Sequence, residues 1–389
     1  MAGQEAEIGA LGIIILAGVI GRLFLKKTGV SDVFLLLLFG ACAGALLQPD
    51  VVEGMGALML PLGAVALLMI IMDEGLRLSF ESLRKQLHKA LFLGILSFSL
   101  AFALSFAISY WLFGLGMLLS LIVAAIFSSV APELLSGFLF ALGASESAKA
   151  IGEIEVTITD SLSVMLALVL SGSVARGGID IDLSALPADI ALVLLLSAAC
   201  GSLLAALWKA FVSQIAEENE HLVAIGLAAL LYAGSSLIGA NGVVSVFIFS
   251  FFLGNTTHQA IEEVRKFQSE ITFFLRTFFF VYLGVLLFHS PKPAEVALAA
   301  LALSLLLALA RAFSSRAVGF FDPTARKGRL LETVSSRGLS SAVLSVIVAG
   351  ELSNSGVRQA IDLPLLALFV IFFTNLITAF FVLKKRKLE

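Results

Sequence analysis

One stretch of the chain concentrates ionisable and hydroxyl side chains: Lys149-Ala-Ile-Gly-Glu153-Ile-Glu155-Val-Thr157-Ile-Thr159-Asp160-Ser161-Leu-Ser163. A carboxylate set among hydroxyls can hold a proton. Deprotonated, it can instead hold a monovalent cation whose hydration shell the hydroxyl oxygens partly replace. The same groups could equally serve helix packing, with the carboxylate locked by an arginine. At about 100° per residue, Glu153 and Thr157 share the helix face of Asp160, while Glu155 points about 140° away. Glu155 therefore needs a cation of its own, and a structural ion pair is its expected role.

A second stretch, Phe127-Ser128-Ser129-Val130-Ala131-Pro132-Glu133, interrupts an apolar run. Pro132 lacks a backbone donor and clashes with the preceding turn, so the helix is predicted to break near 130–132. Ser335-Ser336-Arg337-Gly338 predicts a similar break near 335–338. In lipid, a broken helix survives only where it is buried in protein or lines a wet cavity. Half-helix ends at that depth need countercharges, and Glu133, Glu153 and Arg337 are the candidates for balancing charge there.

Composition requires the surrounding elements to be membrane helices. Of 389 residues, 59% are hydrophobic and 14% charged, and mean hydropathy is +1.05, against about 25% charged in soluble domains. The 32 Phe and 33 Gly suit acyl chains and close helix contacts. Apolar runs of spanning length fall near 9–26, 32–48, 57–76, 89–113, 116–142, 149–174, 187–212, 221–238, 241–255, 267–288, 293–315, 328–350 and 363–383. Tight turns at Gly114–Leu115 and Gly239–Asn241 make neighbouring spans antiparallel. If the sixth span enters at Lys149, Asp160 lies about 16 Å in, near the middle of a ~30 Å hydrocarbon core.

Thirteen spans put the termini on opposite sides. With the C-terminal Lys384, Lys385, Arg386 and Lys387 in the cytoplasm, nineteen Lys and Arg fall in inside loops, and Arg176, Lys292 and Arg358 fall outside. This bias predicts a multi-pass protein of the cell membrane with its N-terminus outside and C-terminus cytoplasmic. Arg276, Arg311 and Arg337 lie within apolar helices, and each requires a partner.

Other classes fit poorly. A net charge of −3 without a basic face argues against nucleic acid. Cys42 and Cys200 read as structural thiols. The four histidines sit near span ends with no partner at ligand spacing, so no metal or cofactor site is expected beyond transient occupation of Asp160 by a monovalent cation. An intramembrane hydrolase would need a Ser–His pair or two helix Asp residues, so the chain does not read as an enzyme. The acidic start, Glu5 and Glu7, has no basic n-region, and the first apolar run reads as a span.

These motifs resemble the NhaP-type sodium/proton antiporters of archaea and bacteria, relatives of the eukaryotic sodium/proton exchangers. The resemblance covers nearly the whole chain. It rests on Lys27-Thr-Gly-Val-Ser-Asp32 through Gly40, Asp73-Glu-Gly75-Leu-Arg77, Glu153-Ile-Glu155-Val-Thr-Ile-Thr159-Asp160, Phe280-Val-Tyr-Leu-Gly284, Leu309-Ala310-Arg311 and Ser336-Arg337-Gly338. It implies an all-α fold of about 13 transmembrane helices in inverted repeats with broken crossing helices, usually homodimeric and moving as an elevator. The implied domains are 1–86 and 177–289 for a linker and dimerisation unit, and 87–176 and 290–389 for the transport core. It makes Asp160 the carrier of cation and proton and pairs Glu155 with Arg311, and the residues themselves offer Thr159, Thr157, Ser129 and Glu133 as further candidates around Asp160. Thr159 stands where the family usually has Asn, and Ala131 where it has Asp. Val156 also stands where a Ser oxygen would help. Asp160 is then the only acidic ligand left, unless Glu133 turns inward. One titrating Asp predicts electroneutral exchange of Na⁺, or alternatively K⁺ or Li⁺, for H⁺. A transport-silent sensor or scaffold on the same fold is the remaining alternative.

Overall fold

The computed structural model describes residues 12–21, 23, 31–47, 49–141, 146–175, 186–212, 219–256, 261–289, 293–321, 331–332, 334–354 and 361–386. Within these, regular structure is helical throughout. The helices are α1 (Gly12–Gly21), α2 (Val33–Gly44), α3 (Pro49–Arg77), α4 (Phe80–Ala107), α5 (Met117–Phe127), α6 (Pro132–Ala141) and α7 (Glu146–Ala175). They continue as α8 (Leu186–Phe211), α9 (Glu220–Leu237), α10 (Gly242–Gly254), α11 (Ile261–Leu286), α12 (Pro293–Phe321), α13 (Leu339–Asn354) and α14 (Leu363–Arg386). Eight described helices are long and apolar enough to cross a membrane, and five shorter apolar helices accompany them. The architecture is an all-α polytopic bundle.

Local chemistry sets the turns. Gly114 and Gly239 have φ of 64° and 76°, a conformation costly for residues with a Cβ, so glycine permits the two hairpins the sequence predicts. Several boundaries differ from the predicted ones: α4 starts at Phe80 rather than 89 and α11 at Ile261 rather than 267. The third span begins at Pro49 rather than near 57, because proline suits a first helical turn that needs no N–H. The helix then continues through Pro61. The run predicted over 328–350 is a helix only from Leu339, preceded by a non-helical segment at 334–338. Its first residues, 328–330, lie outside the described residues.

Close backbone approach positions the helices. On α2, a Cβ at Gly40 would collide with the Val281 carbonyl of α11, so α2 lies directly on α11. Across that contact, Arg276 Nη2 pairs with Asp32 Oδ2 at 2.5 Å, with Asp32 fully buried. Gly75 lets α3 press against Ser250 and the Phe247 carbonyl of α10. On its other side α3 meets α7 and α13. Helix α7 is in turn surrounded by α4, α5 and α13, and α12 packs between α4 and α14. Ser128, Ser129, Asp160, Ser163, Ser340 and Ser341 are buried where α5, α7 and α13 meet.

Candidate functional site

Two non-helical segments cross at the centre of this bundle, 128–131 between α5 and α6 and 334–338 before α13. Helix α5 ends at Phe127 and α6 starts at Pro132. Between them the Ala131 N–H donates to the Ser336 carbonyl at 2.9 Å, so one interrupted segment satisfies the other's backbone. Arg337 is 2% exposed and completes the junction. Its Nε donates to the Phe127 carbonyl at 2.8 Å and its Nη1 to the Ser335 carbonyl at 2.6 Å. A guanidinium at the C-terminal end of α5 opposes the partial negative charge of the free carbonyls there. Helix α14 holds the same segment from behind: Thr374 and Thr378 accept from the Arg337 and Ser335 N–H groups, and Asn375 donates to the Arg337 carbonyl.

Asp160 of α7 projects into this crossing and is 1% exposed. Ser129 Oγ, from the interruption after α5, donates to its Oδ1 at 2.5 Å. Ser340 Oγ, from the first turn of α13, donates to its Oδ2. Glu74 of α3, 3% exposed, stands close enough to act on the same carboxyl group. Glu74 Oε2 also accepts from Ser161 Oγ at 2.8 Å. Two neighbouring buried carboxylates repel each other, so a proton or a cation taken up there relieves that repulsion. The arrangement can therefore carry a proton, or exchange it for a cation that the carboxylates neutralise and the hydroxyl oxygens help to dehydrate.

A second buried acid sits beside this group without joining it. Glu155 accepts from Arg311 Nη1 at 2.7 Å and Nη2 at 2.8 Å, a bidentate pair, and from Ser97 Oγ at 2.8 Å. Arg311 Nε donates to the Leu331 carbonyl at 3.1 Å. With side chains 2% and 1% exposed, this pair locks α7 to α12 and α4.

A cavity of about 260 Å³ runs beside α7, with Arg77, Ser79, Arg265, Glu153, Pro132 and Thr157 on its walls. Its charged rim comes from loop ends the sequence assigns to the cytoplasm. Thr157, one turn from Asp160 on α7, is among its lining residues. Arg265 closes the wall by donating to the Leu76 and Gly254 carbonyls, both at 3.0 Å.

The structure brings Asp160 and Ser129 together and places Thr157 on the cavity wall. Three expectations change. Thr159 faces Gly94 of α4, and its hydroxyl is bonded to the Val156 carbonyl, so it lies outside the group around Asp160. Glu153 is exposed on the cavity wall, while the charges acting on Arg337 are Asp160, Glu155 and Arg311. Asp160 is not the sole acid present, since Glu74 adjoins it. The side chain of Glu133 lies outside the described residues. Glu74 and Ser340 were not singled out in the sequence. Glu74 follows Asp73 near the end of its span, where an acid reads as interfacial. Its signal was that it belongs to a helix whose next residue, Gly75, is packed without a side chain. Ser340 is one of four serines close together around Arg337, and spacing does not distinguish it.

A broken helix crossed by a second non-helical segment beside a buried acid, in a bundle of apolar helices, defines a polytopic membrane protein of the broken-helix type. The chain belongs to the family described as Sodium/hydrogen exchanger, transmembrane, which matches residues 12–385. It is similar to the K(+)/H(+) antiporter NhaP2 of Shewanella oneidensis, 28% identical over 227 residues, covering 57% of this chain and 39% of that protein. It is also similar to the K(+)/H(+) antiporter NhaP of Alkalimonas amylolytica, 23% identical over 295 residues and covering 72% and 49%. The chain thus spans less than half the length of these relatives. In fold it matches the sodium proton antiporter MjNhaP1 of Methanocaldococcus jannaschii at pH 8, with a TM-score of 0.82, 19% identity and coverage of 98% and 99%.

Proposed function

We propose that this protein exchanges a monovalent cation for protons, with Asp160 and Glu74 as the shared binding site. The observation that carries the reading is the Asp160 carboxyl, 1% exposed at the helix crossing, hydrogen-bonded by Ser129 and Ser340 with Glu74 beside it. A cation attracts only the deprotonated pair and a proton removes that attraction, so the two ligands compete and no further coupling device is needed. Exchange follows if the site changes sides only when one of them is bound. A site that gives up one proton as it takes one monovalent cation moves no net charge, so turnover is electroneutral. Na⁺ is the cation this reading favours. K⁺ is the second reading, supported by the names of the curated relatives.

The residues 87–176 and 290–389 would form the moving core of an elevator. They would travel against 1–86 and 177–289, which would also carry a homodimer contact. The chain would lie in the cell membrane with its C-terminus and the Arg77–Arg265 cavity facing the cytoplasm. Reconstituted protein in liposomes, loaded with Na⁺, K⁺ or Li⁺ and followed by proton release, tests the proposal. Asp160→Asn keeps the shape of the side chain and loses titration, and it should abolish exchange with the fold intact. Exchange at the wild-type rate in that variant would reject the mechanism.

A further inference from the structure

The hydroxyl groups around Asp160 differ in what they bond. Ser128 donates to the Ala125 carbonyl at 3.1 Å, Ser341 to Ile126 at 2.9 Å, and Ser345 to Ala342 at 2.7 Å, while Ser163 also donates to Ala125. These hydroxyls serve helix backbone. Among the described residues, Ser129 and Ser340 are the hydroxyls bonded to the Asp160 carboxyl, one on each oxygen. Ser340 is 3% exposed and stands in the first turn of α13, on the opposite side of the carboxyl from Ser129.

Resting on the cation/proton reading above, we propose that the Ser340 hydroxyl is a direct ligand of the transported cation. It donates to Asp160 when no cation is bound, and when one binds it rotates so that an oxygen lone pair faces the ion. A hydroxyl has one donor and two acceptor sites, so the same group serves both arrangements without moving its backbone. Need for such a ligand follows from dehydration. A carboxylate supplies at most two oxygens, and a desolvated alkali cation requires several more to replace its water. Glu74 from α3 adds negative charge, and Arg337 opposes it from the crossing. The Glu155–Arg311 pair is internally neutralised. Neutral oxygen is therefore what the site needs beside the acids. Ser340 and Ser129 provide it from two different crossing segments, so cation binding ties α13 to the α5–α6 interruption.

The rival role, in which Ser340 only donates a hydrogen bond to Asp160, makes the opposite prediction. Removing a donor leaves the carboxylate more attractive to a cation, so affinity would rise. Removing a ligand makes affinity fall. The test is thermal unfolding of the full chain in detergent at alkaline pH, titrated with NaCl or KCl against choline chloride. Binding to the folded protein raises Tm with cation concentration. In Ser340→Ala the concentration giving half the stabilisation should rise about tenfold, the scale of one lost interaction with a charged group. Ser340→Cys retains the volume but offers a soft sulfur that suits alkali cations poorly, and it should behave like Ser340→Ala. In liposomes both variants should show the same rise in KM. An unchanged or lower half-saturation in Ser340→Ala, or wild-type behaviour in Ser340→Cys, overturns the inference while leaving exchange by Asp160 in place. A wild type that exchanges nothing and shows no cation-dependent Tm refutes the exchange reading itself, and this inference with it.

Discussion

Replacing Arg311 by alanine would leave Glu155 buried with only the Ser97 hydroxyl as a partner, because both guanidinium bonds, at 2.7 and 2.8 Å, would be gone. Replacing Glu155 by alanine would strand Arg311 with the Leu331 carbonyl alone. Breaking a buried pair from one side costs about 3–5 kcal/mol, most of it the uncompensated charge. Removing both partners takes both charges out, so the double variant should be more stable than the two single losses added together, by about 0.5–3 kcal/mol. At about 2 °C per kcal/mol for a long chain, each single variant should lose about 6–10 °C of apparent Tm. Arg311→Ala, Glu155→Ala and the double variant, unfolded side by side in one detergent, form the cycle. Additive losses would mean that the pair contributes no coupling and that α7 is held to α12 by packing alone.

Glu74→Gln keeps an oxygen to accept from Ser161 and removes the charge. It should fold normally and raise the cation KM by about tenfold, as for loss of a charged partner, and an unchanged KM would remove Glu74 from the site. Asp362 lies at the N-terminus of α14, where burial raises its carboxyl above the ordinary value against the opposing Leu365 N–H bond. Because its folded value is the higher one, the unfolded chain loses that proton first. The charged carboxyl therefore costs stability progressively as pH rises through the folded value, and costs none below the ordinary carboxylate range of about 4. Asp362→Asn should accordingly have a higher Tm than the wild type at pH 7, and the gap should close as pH falls toward 4; a lower Tm at pH 7 would contradict this.

The apolar runs, the two hairpin glycines and the breaks at Pro132 and Gly338 were legible in the sequence because they follow from local chemistry. Lipid admits only apolar helices, proline cannot donate, and a tight turn needs positive φ. Asp160 stood out for the same reason, since an acid in the middle of an apolar run must have a use. What the sequence left open is which groups share its surroundings. Helical phase correctly separated Glu155 from Asp160, yet it placed Glu153 on the Asp160 face without revealing that this part of the face is exposed on a cavity wall. Phase says nothing about neighbouring helices. Glu74 reaches Asp160 because α3 packs on α7, and Ser340 reaches it because the segment before α13 crosses the interruption after α5. Residues 86 and 180 positions from Asp160 in the chain thus share its carboxyl. Those contacts arise from helix packing across the whole bundle, so only the tertiary structure decided them.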